Sequence, residues 1–149
     1  MQNQDQKIEE ALLRWVDKIY PSKEAFVKIL KSEKLRIYIG LDPTAPHLHL
    51  GHSTNFFLLR KFQELGHKVI ILVGDFTARI GDPTGKDSTR KPLVKEQIMA
   101  NCKTYQKQAA KILDFKSKKN PVELKFNSEW LDKLTMQEII KLTATFTQG

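Results

Sequence analysis

The fold is decided by two strand-like runs, Leu35-Arg36-Ile37-Tyr38-Ile39-Gly40-Leu41 and Lys68-Val69-Ile70-Ile71-Leu72-Val73-Gly74. The first alternates apolar with other residues, which is typical of a strand with one buried face. The second is almost continuously apolar, which is typical of a strand buried on both faces. A helical pattern that Gly66 can end lies between them, so the segment predicts a right-handed crossover and a parallel sheet. Ligands of such sheets bind beyond the carboxyl ends of the strands, here residues 42–52 and 75–86.

Further helices and one more strand flank this unit. Helical spacing of apolar residues predicts two helices within residues 1–34, which we expect to pack outside the core. A longer helix with an apolar stripe over residues 94–112 precedes a third strand at 122–126. Thr135 and Glu138 form a capping box for a last helix, which we expect to reach almost to the end of the chain.

The length and composition suit one ordinary domain with a core, since the chain has 149 residues of which 40% are hydrophobic. We expect an α/β fold, a Rossmann-like parallel sheet with flanking helices. Residues 1–34 would be an N-terminal helical segment and residues 35–149 the first part of the Rossmann-like domain. Three strands are few for this architecture, which indicates a truncated domain.

The charge of the chain favours anionic partners. A formal net charge of +8 and a pI near 9.6 attract polyanions such as RNA or nucleotides, although solvation alone explains many of the lysines. No apolar stretch approaches the roughly 18 residues of a membrane span and no signal-peptide pattern is visible, so we expect a cytoplasmic protein. The single cysteine, Cys102, falls in an apolar helical stripe and is expected to be a buried thiol.

Three histidines, His47, His49 and His52, lie directly after the first strand. Their spacing approaches that of a metallo-hydrolase site, but Gly51 stands where the ligand aspartate would be, so we expect no metal. A structural role for the rings is a second alternative. We favour an anion site, because His49 and His52 are three residues apart at a helix start, where free amides and the helix dipole attract phosphate. Gly51 would let a flat nucleotide approach the backbone.

The loop at residues 74–86 superficially resembles a Walker phosphate loop. Its last two glycines are separated by three residues rather than four, and Asp87 follows Lys86 where a magnesium-binding hydroxyl should stand. The loop, with Lys86 and Arg90, instead indicates a cationic flap that could close over pyrophosphate. A solvated basic loop is the alternative.

The two loops together resemble a known family. Gly40-Leu41-Asp42-Pro43-Thr44-Ala45-Pro46-His47-Leu48-His49-Leu50-Gly51-His52 is similar to the extended HIGH signature of class I aminoacyl-tRNA synthetases. Gly74-Asp75-Phe76-Thr77 and Ile80-Gly81-Asp82-Pro83-Thr84-Gly85-Lys86 resemble the next block of bacterial tyrosyl-tRNA synthetases. The resemblance runs from about residue 22 to residue 146, and it implies the catalytic domain of that family.

The resemblance implies a reaction in which tyrosine is joined to ATP with release of pyrophosphate and then passed to the terminal ribose of tRNA. It implies that His49 and His52 hold the ATP phosphates in the transition state, with Thr44 assisting. It also implies that Lys86 and Arg90 close on the departing pyrophosphate. The implied catalytic residues are His49, His52, Lys86 and Arg90.

The resemblance also implies binding residues for both substrates. Those for ATP are Pro43, Thr44, His49, Gly51 and His52. Those for the amino acid are Tyr38, Gly40, Asp42, Thr77 and Asp82. Tyr38 would hydrogen-bond within the tyrosine pocket, Asp82 with Thr77 nearby would pair with the substrate ammonium group, and Gly40 and Asp42 would line the junction between the substrates.

The implied partners are L-tyrosine, ATP with Mg²⁺ carried by the nucleotide, tRNA(Tyr) and a second copy in a homodimer, with no membrane. Full family members continue through the rest of the sheet, a lysine-rich KMSKS loop and an anticodon domain. We therefore expect this chain to be an N-terminal part that cannot by itself charge tRNA at a useful rate. Two other functions stay open, namely a non-catalytic nucleotide- or RNA-binding fragment and a metal-dependent hydrolase.

Overall fold

The computed structural model describes residues 3–80 and 93–146. Helices and strands alternate along the chain in a βαβ arrangement preceded by two helices. In chain order the elements are α1 (Gln4–Trp15), α2 (Lys23–Ser32), β1 (Arg36–Leu41), α3 (Leu50–Glu64), β2 (Lys68–Val73), α4 (Thr77–Ile80), α5 (Lys95–Ala109), β3 (Glu123–Phe126), α6 (Ser128–Leu131) and α7 (Met136–Thr143).

The three strands form one parallel sheet in the order β1-β2-β3. Leu41 pairs with Val73, and Val73 pairs with Phe126, so the carboxyl ends of all three strands lie side by side. The predicted α/β fold with a parallel sheet is confirmed. The arrangement brings the loops after β1, β2 and β3 to one edge, where the candidate residues are found.

The two faces of the sheet have different surroundings. On one face, Leu41, Ile71 and Val73 are buried in the core beneath α3. On the other face, Tyr38 is 67% exposed and its register partner Ile70 is buried. The alternation predicted for β1 is therefore confirmed.

The two N-terminal helices belong to the core, and the expectation that they pack outside it is wrong. Ile8 and Leu12 of α1 and Leu30 of α2 are each no more than 2% exposed and join the same cluster as the strands. The reason is that α1 packs against α3, whose outer side would otherwise expose apolar surface to water. Residues 3–32 therefore share one core with the sheet.

Local sequence signals set the helix ends. Gly66 has φ of +93° and follows the end of α3, as predicted. The capping box of Thr135 and Glu138 opens α7, also as predicted. However, α7 ends at Thr143 and does not reach nearly to the end of the chain. Thr143 is a weak helix former, and Thr145 follows two residues later.

None of the helices in residues 3–80 and 93–146 combines the length and the apolar character needed to cross a bilayer.

Candidate active site

The carboxyl ends of the three strands are joined by one hydrogen-bond network. The Thr77 hydroxyl, after β2, donates to Asp42 Oδ1, after β1, at 2.8 Å. Asn127, which follows β3 and is 7% exposed, donates from Nδ2 to Thr77 Oγ1 at 3.2 Å and accepts from Phe76 N at Oδ1 at 2.8 Å. The network fixes one side chain from each loop relative to the others.

Gly74 makes this network possible. A Cβ atom at this buried position would lie 1.8 Å from Asp42 Oδ1 and 2.4 Å from Thr77 Oγ1. The Gly74 N–H donates to Leu41 O at 2.9 Å, which continues the ladder between β1 and β2 by one residue. Any larger residue here would therefore have to displace the Asp42 carboxylate and the Thr77 hydroxyl.

His49 and His52 form a contacting pair at the start of α3. His49 is the N-cap residue, and its backbone N–H donates to His52 Nδ1 at 3.2 Å. The ring centroids are 3.9 Å apart. The prediction that these two rings lie on one face of the helix start is confirmed, whereas His47 is exposed in the preceding loop.

The surroundings of His52 determine its protonation. Partial burial lowers the pKa of His52 below its usual value, and the nearby His49 lowers it further. Because Nδ1 accepts the His49 N–H, the neutral ring carries its proton on Nε2. The ring is thus a hydrogen-bond donor through Nε2 at the positive end of a helix.

Gly51 leaves room for the His49 ring. A Cβ atom at Gly51 would lie 3.0 Å from His49 Cε1 and Nδ1, tighter than normal contact. The glycine therefore lets the imidazole lie over the first turn of α3. Contact of Gly51 with a nucleotide stays a prediction.

Tyr38 lines an open cavity on the face of the sheet away from α3. The cavity has a volume of about 400 Å³ and is lined mainly by aromatic, aliphatic and long charged side chains. Its lining residues are Arg36, Tyr38, Ile70, Leu72, Lys125, Glu129 and Trp130. A cavity of this size with an aromatic wall suits a small amphipathic molecule.

A family model described as tRNA synthetases class I (W and Y) matches residues 30–148. The chain belongs to this family. The resemblance drawn from its motifs is confirmed, and the match lends no support to a metal-dependent hydrolase.

Curated relatives of this synthetase chain are tyrosine–tRNA ligases. It is 45% identical to tyrosine–tRNA ligase 2 of Clostridium acetobutylicum over 99% of its own length and 36% of the relative's. It is 51% identical to the tyrosine–tRNA ligase of Carboxydothermus hydrogenoformans, covering 93% of its own length and 34% of the relative's. The chain thus spans about a third of the length of the curated relatives it matches.

A solved structure has the same fold as the synthetase chain. A C-terminally truncated Aspergillus nidulans mitochondrial tyrosyl-tRNA synthetase superimposes with a TM-score of 0.77 at 23% identity, over 99% of this chain and 44% of that one. This likeness confirms the class I synthetase catalytic fold expected from the sequence.

The structure brings some candidate residues together and leaves others apart. Asp42 and Thr77 are bonded, and His49 and His52 are in contact. Thr44 is exposed, whereas Pro43 is buried with its carbonyl accepting from Asn101 Nδ2 at 2.8 Å. The candidates Asp82, Lys86 and Arg90 lie outside the described residues.

Two groups of residues at this site are missing from the sequence-based set. Asn127 was not among the candidates because its contacts with Phe76 and Thr77 bridge about 50 residues of sequence. Polar side chains of α5 at positions 101, 104 and 108 also contact the loop after β1. Their spacing of three and four residues, beside the apolar stripe, was the available signal.

The described residues contain no group of three or more His, Cys, Asp or Glu side chains placed to hold a metal ion. Cys102 is buried as predicted, and burial with the nearby Asp75 raises the pKa of its thiol to about 11.

Proposed function

We propose that this chain forms the part of a tyrosyl-tRNA synthetase active site that binds ATP and L-tyrosine for adenylate formation. The observation that carries the proposal is the His49–His52 pair at the start of α3, beside the carboxyl end of β1. The family match and the names of the relatives support the same reaction. In the complete reaction the tyrosyl group would pass to tRNA(Tyr).

The chemistry proposed for the pair is stabilisation of developing phosphate charge. The tyrosine carboxylate attacks the α-phosphorus of ATP, a new P–O bond forms, and the bond to the leaving pyrophosphate breaks. His52 would donate from Nε2 and His49 from its own ring to the phosphate oxygens, with Thr44 assisting. Lys86 and Arg90 would close on the pyrophosphate, and Mg²⁺ would arrive bound to the nucleotide phosphates.

The tyrosine would occupy the cavity over the open face of the sheet. Tyr38 and Trp130 provide an aromatic wall and Leu72 an apolar floor, which supports an aromatic side chain as the occupant. Gly40 and Asp42 would line the junction with ATP, and Thr77 and Asp82 would face the ammonium group. The Thr77–Asp42 hydrogen bond supports this junction by holding the carboxylate in place.

The proposal includes the setting of the protein. We propose a cytoplasmic location, a homodimer, and residues 35–149 as the first part of a catalytic domain preceded by the helical residues 1–34. The exposed apolar side chains of α7, of which Met136 is 71% and Ile140 61% exposed, are consistent with a surface that another copy could cover.

Tyrosine-dependent exchange between ATP and labelled pyrophosphate tests the activity. His52→Ala should raise the activation free energy of exchange by about 2 to 4 kcal/mol and leave tyrosine binding nearly unchanged. The reason is that the phosphate contact strengthens in the transition state. His47→Ala is the matched control and should exchange at the unmodified rate, since His47 is an exposed loop residue.

Calorimetric titration with ATP and with tyrosine separates the remaining outcomes. ATP binding without exchange would leave the non-catalytic nucleotide-binding function, which the net charge of +8 also favours. Equal loss of tyrosine affinity and of exchange rate in His52→Ala would contradict the role given to His52.

A further inference from the structure

The polar side of α5 is bonded to the loop that carries the histidines. Asn101 Nδ2 donates to Pro43 O at 2.8 Å, and Thr104 Oγ1 donates to Pro46 O at 2.5 Å. Gln108 Nε2 donates to Pro46 O at 3.0 Å, while Gln108 Oε1 accepts from Leu48 N at 3.0 Å. Each bond spans about 60 residues of sequence and ends on the loop backbone.

The loop needs partners of this kind because of its prolines. Pro43 and Pro46 have no backbone N–H, so they can donate neither to a strand ladder nor within a turn. The carbonyl of the buried Pro43 requires a donor, which Asn101 supplies, and the carbonyl of the exposed Pro46 accepts from Thr104 and Gln108. The conformation of the loop therefore depends on a separate helix.

That helix is itself firmly anchored. The side of α5 next to the polar residues carries Ile98, Cys102, Tyr105 and Ala109, each at most 5% exposed in the core. The Tyr105 hydroxyl also lies 3.5 Å from Asp42 O, at the beginning of the same loop. A displacement of the loop would thus break its hydrogen bonds to a helix that is anchored in the core.

Gln108 has the most direct connection to the histidines. It bonds both Pro46 and Leu48, the residues on either side of His47, and Leu48 immediately precedes His49. His49 in turn donates its N–H to His52 Nδ1, so the direction in which the chain enters α3 sets the relative position of both rings. Resting on the phosphate-binding role proposed above, we propose that Asn101, Thr104 and Gln108 are positioning residues that hold His49 and His52 in place for the ATP phosphates.

Nuclear magnetic resonance of the full 149-residue chain tests this without requiring activity. Gln108→Leu removes both bonds, so Leu48 amide exchange should accelerate at least about tenfold, and the His52 ring signals should change from the Nε2–H tautomer. ATP affinity measured by titration should fall only about two- to fivefold, because the contacts of the two rings with the phosphates strengthen mainly in the transition state.

Three further variants test whether the effect is specific to the contact. Gln106→Leu, on the same helix but with an exposed side chain, should leave the histidine signals and ATP affinity unchanged. Gln108→Glu keeps an oxygen that can accept the Leu48 N–H, so it should restore Leu48 protection and part of the ATP affinity. If Gln108→Leu fails to fold, Thr104→Val removes the Pro46 bond with little change of shape and should shift the histidine signals in the same direction.

Unchanged histidine signals in folded Gln108→Leu or Thr104→Val would overturn the positioning role. Equal loss of melting temperature and ATP affinity in Gln108→Leu and Gln106→Leu would also overturn it, since general destabilisation would then be the cause. If the unmodified chain does not bind ATP, the proposed nucleotide site fails. The histidine signals would still decide whether α5 positions the pair.

Discussion

A single Cβ atom at Gly74 would lie 1.8 Å from Asp42 Oδ1, so one missing side chain permits the junction between the strand ends. Gly74→Ala should lower the free energy of unfolding by about 1 to 3 kcal/mol, because Asp42 and Thr77 must move apart and lose their hydrogen bond. Urea unfolding measures the change.

Gly40→Ala is the matched control for that substitution. No atom lies within 4 Å of a Cβ built at Gly40, so stability should be unchanged or rise by up to about 1 kcal/mol. Similar losses in the two variants would show that glycine flexibility, and not the contact with Asp42, is what matters.

His67 gives the stability of the chain a dependence on pH. It is 3% exposed, its Nδ1 accepts from Leu35 N at 3.3 Å, and its Nε2 has no partner within the described residues. Burial lowers the pKa of His67, and the nearby Lys34 lowers it further. The unfolded chain therefore takes up the proton first, so the free energy of unfolding should be highest above about pH 6.5 and decline as the pH falls below it.

Urea unfolding at pH 7.5 and 5.5 measures this dependence in two variants. His67→Gln removes the titrating ring while an amide oxygen can still accept the Leu35 N–H, so the difference between the two pH values should shrink. His47→Gln changes an exposed histidine and should leave that difference intact. A pH dependence that persists in His67→Gln would assign it to other groups.

The predictability of the site depended on the distance between residues in the sequence. His49 and His52 were found from spacing alone, because three residues along a helix place two side chains on one face. The bond from Asn127 to Thr77 could not be found that way, since its 50-residue separation is set by the sheet register. Likewise, the sequence could not show that two atoms of the His49 ring lie 3.0 Å from a Cβ atom built at Gly51.

At the scale of elements, α1 provides the sharpest test of the fold. Leu12 is 2% exposed in the core cluster and the adjacent Leu13 is 85% exposed. Leu12→Ala should cost about 2 to 5 kcal/mol by leaving a cavity, whereas Leu13→Ala should change stability by no more than about 0.5 kcal/mol. Thermal and urea unfolding of the pair measure both.

Equal effects at the two positions would mean that α1 is not held against α3. The pair addresses one of the two helices whose packing was mispredicted. The apolar spacing in α1 specified which side is buried, but a helix preceding a βαβ unit can cover the core or leave it. The contacts of α1 with α3 in the structure show that α1 covers the core.

Helix boundaries were predicted correctly where a local sequence signal marks them. Gly66 and the Thr135 capping box were predicted correctly because each acts within four residues of itself. The end of α7 at Thr143 was mispredicted because the capping box marks only the start of the helix and no glycine or proline marks its end.

At the scale of the whole molecule, stability should be concentrated in β2. This strand pairs with β1 on one side and β3 on the other, and Val69, Ile71 and Val73 are at most 2% exposed. By contrast, α7 has no buried residue. Residue-resolved hydrogen exchange should show β2 amides opening only with global unfolding, at the free energy that urea unfolding gives, and α7 amides exchanging far faster by local opening.

The concentration dependence of that experiment makes it informative about assembly. If the exposed apolar side of α7 faces only water, its exchange should be the same at micromolar and millimolar protein. If a second copy covers that side, protection of α7 should rise with concentration while β2, already limited by global unfolding, gains only the stability that association adds. Slow, concentration-independent exchange in α7 would contradict the exposed placement of that helix.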